Sequence, residues 1–349
     1  MRVVHVARGR DWRGGERQVL HLMLALAREP GLEQSLFTAA DCALAHAAAE
    51  SGLTVHGAAW RAGPDPRALI ELHRLLRHTD RPCLLHAHDS HALMLGYLAG
   101  RWRHCPVVAT RRSVTVPGRH GPWPRATEVI AISRAVEQAL LDGGVAADRI
   151  TVIPSTVPVA RLLAQSTRPA ADGPIVAIGA LTSEKGHDVL LAALAIVVRH
   201  RPATRLIVAG TGPARAALLR QARALGIADR VEFRGEVDDI PALLRQATVL
   251  AHPSRREALG AAVLEAMALG VPVVASRTGG LIELLDGEAG LLVPPEDPAA
   301  LAAALLTLLT DPNAAAALAA TARQRVCQYD DAGMTGRVIQ VYRSMCVAP

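Results

Sequence analysis

The segment Pro253–Gly280 contains two glutamates and follows an apolar run over residues 248–252. Glu257 lies in a short polar loop, and Glu265 falls in the second turn of a helix predicted over 259–269. A carboxylate can accept two hydrogen bonds at once, which suits the vicinal hydroxyls of a sugar. One glutamate could therefore hold a sugar and the other a ribose.

The predicted start of that helix adds a site for phosphate. The N–H groups of Leu259, Gly260 and Ala261 lack partners within the helix, and the helix dipole favours an anion at this end. Gly260 also removes a side chain where the backbone must approach a ligand. Together with the two glutamates, these groups predict a site for a nucleotide-linked sugar.

Lys185 is the one lysine in a chain with 38 lysine and arginine residues. It lies in a loop between a predicted strand and a helix predicted from His187, directly before Gly186. A single ammonium group here can bind a diphosphate. It would stabilise the negative charge that grows on the leaving phosphate when a sugar–phosphate bond breaks.

These residues lie in a pattern that resembles glycosyltransferase family 4, the group 1 enzymes with the GT-B fold. The pattern is Glu-x7-Glu, then A-x-G-x-P-V-V-A-S and Gly-Gly, and the flanking segments have the family's order: IVAIGALTSEKGHDVLL, LIVAGTGP, VEFRGEVDDIPALL and LLVPPEDPAAL. The N-terminal half matches more loosely, through the Gly14-Gly15 loop, HAHDSHA, VIAISRAV and RITVIPS. The resemblance implies an α/β chain with two Rossmann-like domains whose parallel sheets face a central cleft.

The resemblance also assigns roles in binding the donor. It implies that Glu257 binds the donor sugar, that Glu265 binds the ribose, and that Lys185 binds the diphosphate. It places Gly14 and Gly15, in a loop after the first predicted strand, near the diphosphate and the acceptor, although a plain turn is an open alternative. Lys185 and Glu257 are therefore candidate catalytic residues.

One residue departs from the family pattern. The family has an arginine five residues before the lysine as a second phosphate ligand, and this chain has Ala180 there. Arg255 or Arg256 could supply the second cation, although each could also be an ordinary surface arginine.

Candidate residues for the acceptor lie in the N-terminal half. The run HAHDSH could bind a metal at a strand end, but no series of further ligands follows it. The resemblance instead places His88 and Asp89 at the cleft, with His88 a third catalytic candidate. A structural role for these residues is an open alternative. Arg111 and Arg112 stand where relatives carry a histidine, and they could bind an anionic acceptor, bind the donor phosphate or form a charged loop. Nearby Trp123 could rest on a membrane surface.

Alternating predicted strands and helices must position these residues. Helices are predicted at 18–27, 133–142, 187–200, 213–225, 240–246, 259–269, 281–285 and 298–309, with Ser133 as a helix N-cap. Short apolar runs predict strands at 3–7, 84–86, 107–110, 129–132, 150–153, 175–178, 205–209, 231–234, 248–252, 271–275 and 291–293. Repeated β-α-β units require parallel sheets, which bind ligands at the carboxyl ends of their strands.

A chain of 349 residues favours two domains. We expect an acceptor-side domain over 1–160, a linker over 161–173 and a donor domain over 174–327. A C-terminal helix at about 328–346 is expected to pack back on the first domain.

Composition limits the partners. The net charge of +6 favours anionic partners, but aromatic residues make up only 3% of the chain, which disfavours nucleic acid. Five scattered cysteines without a C-x-x-C pair fit a reducing compartment. Without a signal sequence or a long apolar run, we expect a cytoplasmic protein that could contact the inner face of an anionic membrane.

The sequence therefore predicts a retaining glycosyltransferase. It would move a sugar from a nucleotide-diphosphate sugar, most commonly a UDP-sugar in this family, to an acceptor hydroxyl in polysaccharide, lipopolysaccharide or glycolipid synthesis. No Asp-x-Asp motif is present, so we expect no metal and no cofactor besides this co-substrate. Two alternatives stay open: a nucleotide-sugar epimerase or hydrolase, and a non-catalytic sugar-nucleotide-binding protein.

Overall fold

A computed structural model describes residues 1–9, 12, 14–61, 63–77, 83–166 and 172–346. Internal contacts divide the chain into unit 1, Met1–Ser155 with Asp331–Pro349, and unit 2, Thr156–Asp330. The expected boundary at residue 160 thus falls inside unit 2. A helix, Val159–Ala164, occupies the start of the expected linker, and residues 167–171 of that linker lie outside the described residues.

Unit 1 is built on a seven-stranded parallel sheet in the order β3-β2-β1-β4-β5-β6-β7. Its strands are β1 Arg2–Val6, β2 Glu33–Ala39, β3 Val55–Ala58, β4 Cys83–Ala87, β5 Val107–Arg111, β6 Glu128–Ala131 and β7 Ile150–Val152. Its helices are α1 Gly14–Leu26, α2 Ala43–Glu50, α3 Pro66–Arg77, α4 Ser90–Arg103, α5 Arg134–Asp142 and α14 Asp331–Cys346. The strand order reverses direction between β1 and β4, which makes their carboxyl ends the expected ligand-binding point of this sheet.

Unit 2 is built on a six-stranded parallel sheet in the order β10-β9-β8-β11-β12-β13. Its strands are β8 Ile175–Ile178, β9 Leu206–Ala209, β10 Val231–Gly235, β11 Val249–His252, β12 Val273–Ser276 and β13 Leu291–Val293. Its helices are α6 Val159–Ala164, α7 His187–His200, α8 Arg215–Ala224, α9 Ile240–Arg245, α10 Ala261–Leu269, α11 Gly280–Leu285, α12 Pro298–Thr310 and α13 Pro312–Val326. Here the order reverses between β8 and β11, so the loops after these two strands meet at the point where doubly wound sheets bind ligands. The two sheets confirm the predicted α/β class with two Rossmann-like halves.

The core of unit 1 includes the C-terminal helix. Helix α14 contacts α1 and β4, and Tyr342 on α14 is fully buried in a cluster with Val3, Leu84 and Val108 of the sheet. Ser133 caps α5, as predicted, by accepting a hydrogen bond from the backbone N–H of Val136 at 3.2 Å.

Gly14 and Gly15 do not form the predicted loop. They are the first two residues of α1, while Arg13 before them lies outside the described residues. The N–H groups of a first helical turn make no bonds within the helix, so this position tolerates glycine better than a helix interior does.

No single helix among the described residues is both long and apolar enough to cross a membrane. One pair of helices, Pro298–Thr310 and Pro312–Met345, meets the length and composition criteria only when joined across a bend of 101°.

Candidate functional site

The loop after β8 carries Lys185 to the switch point of unit 2. Lys185 ends a short 3-10 turn, Ser183–Lys185, and Gly186 then adopts a left-handed conformation with φ of 65°. A Cβ atom at Gly186 would lie 2.0 Å from the carbonyl oxygen of Pro253. Only glycine therefore permits this close approach of the loops after β8 and β11.

Lys185 and Glu257 form an ion pair that joins these two loops. The Nζ atom of Lys185 donates to Oε2 of Glu257 at 2.6 Å, and Nε2 of His252 lies 2.7 Å from the same oxygen. Ser254 donates its hydroxyl to Oε2 at 3.3 Å, whereas Oε1 accepts one bond, from the backbone N–H of Ala258 at 3.2 Å. Glu257 is thus held by groups on two loops.

The surroundings of Glu257 keep its carboxylate ionised. Burial by itself would raise the pKa of Glu257, but the hydrogen bond with His252 and the positive charge of Lys185 hold that pKa well below its usual range. An ionised carboxylate accepts hydrogen bonds and cannot donate a proton. With Oε2 shared by three donors, Oε1 is the oxygen with capacity for a ligand hydroxyl.

The predicted phosphate site, at Leu259, Gly260 and Ala261, follows Glu257 in the loop that leads into α10. Helix α10 begins at Ala261 after Gly260, whose φ is 110°, while the side chain of Leu259 is buried. Glu265 lies one turn further along α10 and is partly buried. Glu257 lies in the loop before α10 and Glu265 lies on the helix itself, so the two carboxylates belong to different elements.

Gly279 and Gly280 are needed by the backbone around Glu257. A Cβ atom at Gly279 would lie 1.8 Å from the carbonyl oxygen of Glu257, and the N–H of Gly280 donates to that oxygen at 3.1 Å. The Gly-Gly pair therefore fixes the loop that carries Glu257.

Arg255 and Arg256, the two candidates for the second cation, are both engaged in ion pairs. Arg255 makes two bonds to Asp188, at 2.9 and 2.7 Å, and a third to Glu296 at 2.9 Å. Arg256 donates to Glu184 at 2.7 Å. Arg255 thereby ties the β11 loop to the start of α7, so its role is to hold the site together.

Two histidines at this site, His252 and His187, were not predicted from the sequence. His252 ends β11 and bonds to Glu257. His187 begins α7 and is buried, and burial together with the charge of His252 lowers its pKa to about 4. Position at a strand end or helix start was the one signal that could have marked them.

In unit 1, three buried histidines meet at the carboxyl ends of β1 and β4. His5 is the register partner of His86, and His88 follows two residues later, so all three lie on one face. Nδ1 of His5 lies 2.9 Å from Nε2 of His88, and the rings of His86 and His88 are 4.1 Å apart. Burial lowers the pKa of His5 to about 3 and those of His86 and His88 well below 6.5, so the rings are neutral.

The three histidines are positioned for hydrogen bonding more than for metal binding. Each offers a nitrogen within 4.8 Å of the others, but both nitrogens of His86 are already bonded, to the Tyr342 hydroxyl at 2.6 Å and the Thr110 hydroxyl at 2.7 Å. The guanidinium of Arg112 lies 3.5 Å from Nδ1 of His88. To bind a metal cation here, His86 would have to give up one of its two hydrogen bonds. The cation would also be repelled by the positive charge of Arg112.

Asp89 has a local structural role. Its Oδ1 accepts hydrogen bonds from the backbone N–H groups of His91 and Ala92, both at 2.8 Å, as the N-cap of α4. Its Oδ2 accepts from the N–H of Arg8 at 2.8 Å. These bonds join the loops after β1 and β4. They give the Asp89 carboxylate a structural role that does not require a ligand.

Arg111, Arg112 and Trp123 have different surroundings. The guanidinium of Arg111 stacks on the Trp123 ring at 4.6 Å and donates to the Thr115 carbonyl oxygen. Trp123 is 4% exposed, so it is not the surface tryptophan that contact with a membrane would need. Arg112 points instead toward His88.

Known sequence families match both halves of the chain. The family described as "Glycosyl transferases group 1" matches residues 173–311, and "Glycosyltransferase Family 4" matches residues 12–161. These ranges cover most of unit 2 and most of the N-terminal part of unit 1.

Individual proteins agree with these families. A glycogen synthase of Mycobacterium tuberculosis is 32% identical over 286 residues, which are 75% of this chain and 69% of that protein. A GDP-mannose-dependent phosphatidylinositol monomannoside mannosyltransferase of Mycolicibacterium smegmatis is 41% identical over 43% of this chain and 42% of its own length. The Anabaena protein HepE, solved with UDP-glucose, superposes with a TM-score of 0.85 at 23% identity, over 99% of this chain and all of HepE. The chain therefore belongs to glycosyltransferase family 4, the group 1 glycosyltransferases, which have the GT-B fold and act on nucleotide sugars.

Proposed function

We propose that this enzyme transfers a hexose from a nucleoside diphosphate sugar to an acceptor hydroxyl with retention of the anomeric configuration. The observation that supports the proposal is the ion pair of Lys185 with Glu257 at 2.6 Å, at the switch point of unit 2. It joins a cation suited to a diphosphate and an ionised acceptor suited to sugar hydroxyls.

The donor would bind along the two loops and α10. Glu257 would accept hydroxyls of the sugar through Oε1, and Glu265 would accept the hydroxyls of the ribose. The N–H groups around Leu259 and Gly260 would bind phosphate oxygens. Lys185 carries three N–H donors and uses one for Glu257, so it can bind the diphosphate without losing the pair.

Lys185 would act chiefly in the transition state. The acceptor oxygen forms a bond to the anomeric carbon as the bond from that carbon to the diphosphate breaks, on the same face of the sugar. The acceptor proton passes to an oxygen of the departing phosphate. The ammonium of Lys185 stabilises the charge that grows on that phosphate, and this assignment needs neither a metal nor a cofactor besides the nucleotide sugar.

A UDP-sugar is the donor that we propose, and a GDP-sugar is the alternative. HepE was solved with UDP-glucose, whereas the Mycolicibacterium relative is GDP-mannose-dependent. The relatives act in glycogen and glycolipid synthesis, which supports a saccharide or lipid-linked acceptor and a product in polysaccharide, lipopolysaccharide or glycolipid synthesis.

A thermal-shift screen of UDP- and GDP-sugars tests the donor. The true donor should raise the melting temperature in proportion to the logarithm of its concentration. NMR of the product formed from that donor tests retention, because the one-bond coupling between the anomeric carbon and its proton differs between α-linked and β-linked pyranosides. An inverted product, or fast loss of donor without an acceptor, would contradict the proposal.

A further inference from the structure

Arg112 is a partly buried cation that forms no ion pair with any of the described residues. With the part of the chain that the structure describes, its guanidinium makes only long contacts: 3.3 Å to the carbonyl oxygen of His88 and 3.5 Å to Nδ1 of the same residue. Its Nε atom is buried and has no hydrogen-bond partner. Among the residues that the structure describes, no carboxylate lies within ion-pair distance of Arg112.

The two carboxylates whose charges act on Arg112 do not compensate for the burial of its guanidinium. Glu16 and Asp89 both favour the charged form of Arg112, but burial outweighs them and lowers the pKa of Arg112 to about 10. Asp89 already accepts three backbone hydrogen bonds. A buried charge without a partner is unfavourable, so this position gains stability when an anion arrives.

The surroundings of Arg112 favour an incoming anion over a cation. The three imidazoles beside it are neutral, as described above, and supply no negative charge. The adjacent Arg111 stacks on Trp123 and donates to the Thr115 carbonyl oxygen, whereas the contacts of the Arg112 guanidinium with described residues are 3.3 Å or longer. A planar guanidinium binds phosphate and carboxylate through two parallel hydrogen bonds.

We propose that Arg112 binds an oxyanion, a phosphate or a carboxylate, carried by the sugar acceptor. The acceptor of this enzyme is then an anionic saccharide or phosphate ester, bound in unit 1 at the carboxyl ends of β4 and β5. The inference rests on the proposed function only in assigning this anion to the acceptor, because the donor diphosphate offers the same chemistry.

Inorganic phosphate is the probe, titrated against chloride at equal ionic strength and followed by calorimetry. The titration uses the Lys185→Ala protein, in which the proposed donor phosphate site is disabled. Phosphate should bind to Lys185→Ala, and adding Arg112→Gln should weaken it by about tenfold or more. Adding Arg103→Gln, which removes an exposed arginine at the end of α4, should leave the phosphate affinity unchanged.

A second titration separates the acceptor from the donor. UDP binding to the Arg112→Gln protein, with Lys185 intact, should match that of the unsubstituted protein. Arg112→Lys keeps the charge but loses the fork, and it should bind phosphate with intermediate affinity; it replaces Arg112→Gln if that variant does not fold.

Three results would overturn the inference: no phosphate-specific binding to Lys185→Ala, no loss of it with Arg112→Gln, or weaker UDP binding with Arg112→Gln. The last would assign the anion to the donor. A failure of UDP to bind any variant would count against the proposed function and leave the phosphate result standing.

Discussion

His252 is the residue whose role at the donor site is most open to test. Its bond to Oε2 of Glu257 directs the other oxygen, Oε1, toward a ligand, so we assign it a positioning role. His252→Gln can keep an N–H near Nε2, whereas His252→Leu cannot. We expect His252→Leu to raise the KM for the donor by about tenfold, the effect of about 1.4 kcal/mol, with a smaller change in kcat, and His252→Gln to restore most of it.

Steady-state kinetics with varied donor and saturating acceptor measure this difference. If the histidine were only a core residue, Leu would be tolerated better than Gln, because burying an amide without a partner is costly. Equal KM values for the two variants would remove the positioning role.

At the scale of single residues, the charged groups of the donor site could be predicted from the sequence, but the ion pairs between them could not. Lys185 and Glu257 were found because both belong to a recognisable pattern, but their mutual ion pair spans 72 positions, which no local spacing encodes. The ion pairs of Arg255 could not be predicted for the same reason: Asp188 lies at the start of α7 and Glu296 in the loop after β13, both far from Arg255 in the sequence.

The loops between elements hold the donor site through glycines. Gly279 has φ of 50°, and an added Cβ would clash with the Glu257 carbonyl. We expect Gly279→Ala to shift the loop of Glu257 and to weaken donor binding severely. Gly287→Ala is the matched control, because Gly287 has φ of 63° but open space around it.

In the Gly287→Ala control, an alanine in the left-handed conformation should lower the unfolding free energy by about 1–2 kcal/mol. The donor affinity of this control should be unchanged. Circular dichroism during urea unfolding measures the first quantity and donor titration the second. Equal donor affinities in the two variants would show that the contact between Gly279 and Glu257 does not position the glutamate.

Elements with strong periodicity were predicted closely, and others were missed. Strands β8 and β13 and helix α7 have the predicted bounds, because apolar runs bounded by Pro and Gly define them. Strands β2 and β3 were not predicted. In β3, Val55–Ala58, His56 and Gly57 interrupt the apolar pattern, and pairing with β2 stabilises the strand. The Gly-Gly pair predicts a loop because glycine weakens a helix interior, but Gly14 and Gly15 occupy the first turn of α1.

The whole chain should lose stability in acid through unit 1. His5, His86 and His88 have pKa values below 6.5 in the folded state, so the unfolded chain takes up their protons first as the pH falls. Their contribution to stability is complete above pH 6.5 and is lost as the pH falls toward their folded pKa values. Each proton costs about 1.4 kcal/mol of unfolding free energy per pH unit in that window.

Tryptophan fluorescence isolates this effect, because all four tryptophans belong to unit 1: Trp12, Trp60, Trp102 and Trp123. Urea unfolding between pH 5 and pH 7 should show the decline, and His5→Gln should reduce its slope by about one proton. His120→Gln, at an exposed position, is the control. An unchanged slope in His5→Gln would mean that His5 takes up its proton equally in both states.

Domain organisation was predictable in outline because length and two β-α-β series demand two halves. The boundary was not, since Thr156 joins unit 2 by contacts that the Pro- and Ser-rich sequence around it does not reveal. A C-terminal helix that packs on the first domain was expected, and α14 belongs to unit 1, where Tyr342 is part of the core.

Transfer by the Lys185→Ala enzyme tests the central claim most directly. With the donor identified by the screen and the acceptor saturating, kcat/KM should fall by about 10²–10³-fold, the usual loss when one group that stabilises transition-state charge is removed. Arg215→Ala, which removes an exposed cation from α8 of the same unit, should retain full activity. Full activity in Lys185→Ala would contradict the account, because the ammonium would then not act on the departing diphosphate.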